Sequence, residues 1–383
     1  MRKYCLLIDC SYICKVPQIP ISLDIYAGRL LQGFRNHTTF SVTALVVKGT
    51  EGYVDRLAGF EVDKIVVDLK DTVTHSVSID RLIGIVPFEK ELRDKKIDVV
   101  LTPCHVSCRY FFPERYHQHF IIHVFIYREG LKMKLGKWKY PLICLWRRIL
   151  FSKVRHFISI SEQTRKEALG YHIDSVVVHN SIPFDFHGQD EPISALINRK
   201  YILNVNRFES YKNHELLIRS FFVLKDKIPH CLYLKGIEDR KSNLPSLKSL
   251  VQKLNLADRV FFDTSSRSEG EMQWLYAHAD LFVTPSLKEG FGWTPIEASV
   301  LGVPVLVSNI DVLKEVTCGR VPTFDPFSPE DLANKMYAVL SNPPTKKELE
   351  ELSALYRERY SLGRQITQIE ELLLYLLYEL SSC

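Results

Sequence analysis

The chain has 383 residues, 46% of them hydrophobic and 25% charged. This is an ordinary globular balance and, at roughly 100–200 residues per domain, predicts two domains. No run reaches the ~18–20 uninterrupted apolar residues of a transmembrane helix. The nine cysteines, an odd number scattered through a long chain, read as reduced thiols and argue against a secreted disulfide framework.

In chain order, the short apolar stretch after Arg2 and Lys3 is interrupted by Asp9, and no small-residue cleavage site follows it. It therefore reads as a first buried strand, Tyr4–Ile8, not as a signal peptide, and a cytoplasmic location is expected. Further strand-like runs follow at Ser41–Val47, Lys64–Val67, Val99–Leu101, Phe120–Val124, His156–Ile160 and Val176–His179. Helical patterns lie between them at Leu23–Phe34 and Gln163–Leu169. Cys104 and Cys108 flank His105, with His117, His119 and His123 downstream. A zinc site would want a tighter pair and a second matched pair, so no metal is expected.

Net charge is +5 overall, but Arg128–Arg155 alone holds nine Lys/Arg against Glu129, a local charge of +8. Lys132, Lys134, Lys137, Lys139, Arg147 and Arg148 there interleave with Trp138, Trp146 and many aliphatic residues. Basic stretches mixed with aromatics favour anionic membrane surfaces, which makes peripheral attachment to the inner membrane face an expectation. No nucleic-acid motif accompanies the charge, so nucleic acid is not expected as a partner. The same residues also fit a plainer account, in which the aliphatic side chains belong to the core and the cations solvate its outer face.

The pattern breaks at 183–200, a polar stretch with Gly188 and two prolines that reads as a linker. Strands resume at Tyr201–Val205, Cys231–Leu234, Arg259–Phe262, Asp280–Val283 and Pro304–Val307. Helical patterns cover His214–Leu224, Leu247–Leu254, Glu271–His278, Pro295–Leu301 and Pro329–Leu340, and an apolar helix closes the chain at Gln365–Leu380. Strands alternating with helices, many of them continuously apolar, predict parallel sheets covered on both faces. The expected fold class is α/β, with two doubly wound, Rossmann-like domains facing a cleft. The boundaries read as a first domain 1–183, a linker 184–200, a second domain 201–362 and a final helix 363–383 packing back toward the first. Ligands in such sheets bind at the carboxyl ends of the strands.

The densest chemistry lies in Thr284–Asn309, TPSLKEGFGWTPIEASVLGVPVLVSN, where Glu289 and Glu297 are separated by seven residues. Gly290 and Gly292 flank Phe291 and let the backbone approach a ligand. Thr294 reads as an N-cap, Pro295 as the first helical residue and Glu297 as the partner in a capping box. A helix N-terminus below a glycine loop suits a pyrophosphate. On the residues alone, Glu297 could be only a cap partner and Glu289 only a loop carboxylate.

This stretch, with NVNRFESYKNHELLIRSF (Asn204–Phe221) and RVFFD…EMQWLYAHADLFVTPS, resembles the retaining glycosyltransferases of GT-B fold. The likeness is to the large group 1 family marked by two glutamates seven residues apart, at its mannosyltransferase-like end. It covers about residues 200–342 well and the first half more weakly, through FISISEQTRKEAL and VVVHNSIP. The resemblance implies an acceptor-side first domain and a second domain that binds a nucleotide-diphosphate sugar without a metal or other cofactor. It implies that Arg207 and Lys212 neutralise the diphosphate. Glu297 would take the ribose hydroxyls, and Glu289 would hold the sugar and stabilise charge at its anomeric carbon. A first-domain histidine would also reach the sugar, and His123 is the best match. The donor loop would add Gly290, Phe291, Gly292 and Thr294.

GDP-mannose is the first donor expected, with UDP-hexoses as the alternative, and a glycan or lipid-linked glycan in polysaccharide or glycoconjugate synthesis is the expected acceptor. The family's glycine-rich loop after the first strand is not matched: no glycine precedes Gly28, and Pro17 and Pro20 stiffen the region instead. Two other readings remain. One is another enzyme on the same fold, such as a nucleotide-sugar epimerase; a phosphorylase would usually need a longer chain. The other is a non-enzymatic scaffold at a membrane surface.

Overall fold

In a computed structural model of the chain, the described residues are 3–13, 16, 22–35, 37, 39–68, 86–104, 110, 112–123, 156–183, 190–238 and 242–381. The chain divides into two compact units, Met1–Pro183 with Leu362–Cys383, and Phe184–Ser361.

The first unit holds β1 (Tyr4–Asp9), β2 (Phe40–Val47), β3 (Asp63–Val67), β4 (Val99–Thr102), β5 (Gln118–Ile122), β6 (His156–Ser159) and β7 (Val176–Val177). Their order in the sheet is β3-β2-β1-β4-β5-β6-β7, and every pairing is parallel. Helices α1 (Ser22–Phe34), α2 (Glu51–Ala58), α3 (Glu89–Asp94) and α4 (Glu162–Leu169) connect them. Leu6–Ile8, Val99–Leu101 and Phe120–Ile122 are fully buried. Strands covered on both faces must be apolar throughout, and burying each such side chain contributes about 1.5–3 kcal/mol. Helix α1 turns Tyr26, Ala27, Leu30, Leu31 and Phe34 inward, the spacing of one helical face. The chain's last helix, Leu362–Ser381, lies against α1, and a Cβ at Gly33 would overlap the Ile366 side chain.

The second unit holds β8 (Tyr201–Val205), β9 (Cys231–Lys235), β10 (Val260–Asp263), β11 (Leu281–Thr284), β12 (Val305–Ser308) and β13 (Thr323–Phe324). They too are all parallel, in the order β10-β9-β8-β11-β12-β13. The helices are α5 (His214–Leu224), α6 (Leu244–Lys253), α7 (Glu269–Ala277), α8 (Trp293–Val300), α9 (Asp311–Val316), α10 (Pro329–Ser341) and α11 (Lys346–Arg359). The last helix, α12, returns to the first unit. In both sheets the order reverses beside the first strand, between β1 and β4 and between β8 and β11. In doubly wound sheets that switch point is where ligands bind.

Several elements differ from the sequence expectation. The strand expected at Val176–His179 is the two-residue β7, and β5 is shifted to end at Ile122, before His123. Helices α2, α3, α9 and α11 were not expected from the apolar pattern. They are short or mostly solvated: α11 buries only Tyr356, and α3 only Leu92. The polar stretch 190–200 packs on the second unit, with Ile193 and Leu196 buried and the Ser268 hydroxyl donating to Glu191. Residues 184–189 lie outside the described residues.

Candidate active site

The loops after β8 and β11, the two strands at the second switch point, carry the candidate residues. After β8 the chain passes through Arg207 and the buried Phe208, then a 3-10 turn Ser210–Lys212. Asn213 adopts a left-handed conformation (φ +57°) and its amide donates to the Pro326 carbonyl at 2.9 Å, which fixes where α5 begins. The β11 loop is tied to this turn by a bond from the Leu287 amide N–H to the Tyr211 carbonyl, 2.8 Å.

Between the two loops, Lys212 Nζ donates to Glu289 Oε1 at 2.7 Å, and Ser286 Oγ donates to the same oxygen at 2.7 Å. Both charged side chains are about 10% exposed. Lys212 also lies 5.3 Å from the centre of the Tyr211 ring. Arg207 is 46% exposed, and its Nη1 lies 3.5 Å from Glu209 Oε1. That is a long, solvated contact of little energetic weight. Two oxygens near these strand ends, Asn204 Oδ1 and Thr284 Oγ1, are buried and have no hydrogen-bond partner among the described residues.

The glycine loop departs from expectation at its helix. Gly292, with φ +93°, is the residue before α8, so Thr294 lies inside the first turn and is not the N-cap. The reason is steric: glycine alone adopts that conformation without strain, and a Cβ there would come within 2.7 Å of Leu313 Cδ2. The helix therefore starts earlier, and no side chain caps it. Its first N–H groups keep the partial positive charge that suits an anion. Glu297 is accordingly not a capping-box partner. It accepts a hydrogen bond from the Tyr276 hydroxyl on α7 at 2.6 Å, and both side chains are buried. Burial raises the Glu297 carboxyl to about 7, against the opposing pull of the Tyr276 bond. Phe291 is 3% exposed and stands edge-on to Tyr360 at 5.4 Å. Its ring belongs to the core, so this residue has its backbone to offer a ligand, not its side chain. Gly290 is half-buried.

His123 belongs to the first unit, one residue past β5. Its Nε2 lies 2.9 Å from the Pro103 carbonyl, which can only accept, so Nε2 carries the proton. The Tyr26 ring meets it edge-on at 4.6 Å. Burial lowers the imidazole to about 4, so it is neutral at pH 7. Tyr26 in turn accepts from Gln365 Nε2 at 3.1 Å, and Gln365 Oε1 accepts from the Ser181 amide at 3.2 Å. Residues Lys132, Lys134, Lys137, Trp138, Lys139, Trp146, Arg147 and Arg148 lie outside the described residues, as does His105. Among the described residues no helix is long and apolar enough to cross a membrane, and no group of three His, Cys, Asp or Glu side chains is placed to hold a metal ion.

Ser286, Tyr211, Glu209 and Tyr276 were not singled out from the sequence. Tyr276 meets Glu297 across 21 residues and two helices, a contact that depends on how the helices pack and has no local pattern.

Residues 189–354 match the family model of the glycosyl transferases group 1. Mannosylfructose-phosphate synthase of Agrobacterium fabrum is 34% identical over 145 residues, 36% of this chain and 32% of that protein. The O-antigen chain mannosyltransferase RfbU of Salmonella typhimurium is 31% identical over 169 residues, 43% of this chain and 45% of that protein. The chain thus matches less than half the length of either relative. Among solved structures, Anabaena Alr3699/HepE in complex with UDP-glucose superposes with a TM-score of 0.71 at 15% identity, over 96% of this chain and 99% of that one. With its two parallel sheets and this superposition, the chain has the GT-B fold, and its residues 189–354 carry the match to the glycosyl transferases group 1.

Proposed function

We propose that the chain is a retaining hexosyltransferase that takes a hexose from a nucleotide-diphosphate sugar, first of all mannose from GDP-mannose. The acceptor is a glycan or lipid-linked glycan, as in surface polysaccharide synthesis. The observation that carries this reading is the Lys212–Glu289 ion pair at the switch point of the second sheet, in the loop that leads into the uncapped N-terminus of α8. A leaving diphosphate needs positive charge that strengthens as the bond to the anomeric carbon breaks. Arg207, Lys212 and the helix N-terminus supply it without a metal ion or other cofactor. When the diphosphate engages Lys212, Glu289 is released from its ion pair to hold the sugar hydroxyls and to face the positive charge growing at the anomeric carbon. Glu297 accepts from the ribose hydroxyls. The mannosyltransferase named among the relatives favours mannose, while the UDP-glucose bound by the Anabaena protein keeps UDP-hexoses as the second donor class.

The test is donor depletion by purified protein across GDP-mannose, UDP-glucose, UDP-galactose and UDP-N-acetylglucosamine, with and without lipid-linked glycan acceptors. Consumption of one donor only when an acceptor is present supports transfer. Turnover of a donor to its epimer without acceptor would replace this reading with an epimerase.

A further inference from the structure

We propose that Tyr276 is a positioning residue for nucleotide recognition: its phenol fixes one oxygen of Glu297 and thereby presents the other to the ribose. The inference rests on the reading of Glu297 as the ribose acceptor. Tyr276 is the one tyrosine of α7 and Glu297 sits in α8, so the bond joins two helices. It runs from the hydroxyl to Glu297 Oε2 at 2.6 Å, between side chains 2% and 6% exposed. The tyrosine is itself held, its ring 5.5 Å from Phe282 on β11. A fixed donor to one oxygen restricts how a buried carboxyl can turn. A phenol does this without a cation, which would compete for the oxygen the ribose needs.

The surroundings leave this role to Tyr276. The elements packed most closely on α8 are β11, β12, α7 and α11. The two strands carry no ionisable side chain. On α7, Glu271 is bonded to Arg267, and Glu269 lies in the first turn, away from Tyr276 near the helix end. On α11, Arg357 reaches the Val300 carbonyl, Arg359 reaches Tyr360, and Glu348 caps Thr345. Lys346 and Lys347 on that helix face Glu350 and Glu351. Burial and the Tyr276 bond are what act on the Glu297 carboxyl, in opposite directions. The phenol is pushed well above its ordinary range, so it stays a donor at any working pH.

Removing the hydroxyl therefore has two effects: Glu297 loses its orientation, and it holds its proton to higher pH. GDP and UDP are titrated into wild type, Tyr276→Phe, Glu297→Gln and the double variant at pH 7 and pH 8.5. The expected result is about a tenfold weaker Kd for Tyr276→Phe at pH 7, as for one lost charge-assisted bond. The deficit should shrink at pH 8.5, and adding Tyr276→Phe to Glu297→Gln should cause no further loss. Wild-type affinity in Tyr276→Phe overturns the proposal, and so does an equal loss in the Glu297→Gln background, which would mean general disruption. If Glu297→Gln itself binds like wild type, the reading of Glu297 has failed, and this inference falls with it. Should Tyr276→Phe not fold, site-specific 3-fluorotyrosine at 276 keeps the shape and strengthens the donor. It should move the midpoint of the pH dependence of Kd downward, and an unmoved midpoint overturns the proposal.

Discussion

Lys212 and Arg207 are assigned to the same diphosphate, yet their surroundings differ, and substitution should separate them. Lys212 is almost buried and bonded to Glu289, whereas Arg207 is 46% exposed. Lys212→Ala strands a buried carboxylate, a change worth about 3–5 kcal/mol of stability when burial is complete. It should lower the melting temperature, and Lys212→Ala with Glu289→Ala should recover much of the loss. Arg207→Ala should leave the melting temperature unchanged. Both single variants should weaken nucleoside-diphosphate binding by roughly 10–150-fold, the range of a charge-assisted contact. Calorimetric titration beside thermal melting reads both quantities. Glu297 gives a pH signature of its own. Its carboxyl is raised from 4.5 to about 7 in the folded chain. The folded state thus binds the proton more tightly than the unfolded state, so the contribution is fully present below pH 4.5 and is lost as pH rises toward 7. Relative to Glu297→Gln, the wild type should lose on the order of 3 kcal/mol between pH 4.5 and pH 8. Denaturant unfolding of the pair at those two pH values measures it, and a constant difference would contradict the buried, proton-holding state.

The helix α8 and the glycine before it form one device. Gly292→Ala must place a Cβ against Leu313 in a conformation that L side chains rarely adopt. It should destabilise the unit by about 1–3 kcal/mol. It should also weaken diphosphate binding more than the stability loss explains, because the N–H groups of the first turn move with it. Gly302→Ala is the control. It has a positive φ as well, but open space around it, so it should cost stability without touching the diphosphate. This element also marks where sequence reasoning reached its limit. The strands β8 and β11 were legible because buried parallel strands are apolar throughout. Arg207, Lys212, Glu289 and Glu297 could be named as candidates because they lie in two short stretches of sequence, the turn after β8 and the loop and helix after β11. The start of α8 was not, since Thr294-Pro295 is a good local start signal and the left-handed Gly292 overrides it two residues earlier. Nor was the Tyr276–Glu297 bond, nor the path from Ser181 through Gln365 and Tyr26 to His123, since each depends on how distant helices pack.

At the scale of the molecule, the two sheets share one winding scheme, and the chain crosses from the first unit to the second and returns with α12. The basic segment 128–155 is what the sequence adds to this frame. If it holds the protein to an anionic membrane face, each basic residue near the surface contributes about 1 kcal/mol, screened over roughly 8–10 Å. The protein should sediment with vesicles containing anionic lipid at low salt and be released near ~0.5 M salt, where the screening length is shorter still. Replacing Lys132, Lys134, Lys137 and Lys139 together by Gln should abolish sedimentation and leave nucleotide binding intact. Wild type that ignores such vesicles at low salt would point to a soluble acceptor instead. The central claim, transfer with retention, is tested most directly by the proton NMR signal of the anomeric hydrogen in the product. From an α-linked donor such as GDP-mannose the account predicts an α-linked product, and a β-linked product would contradict it.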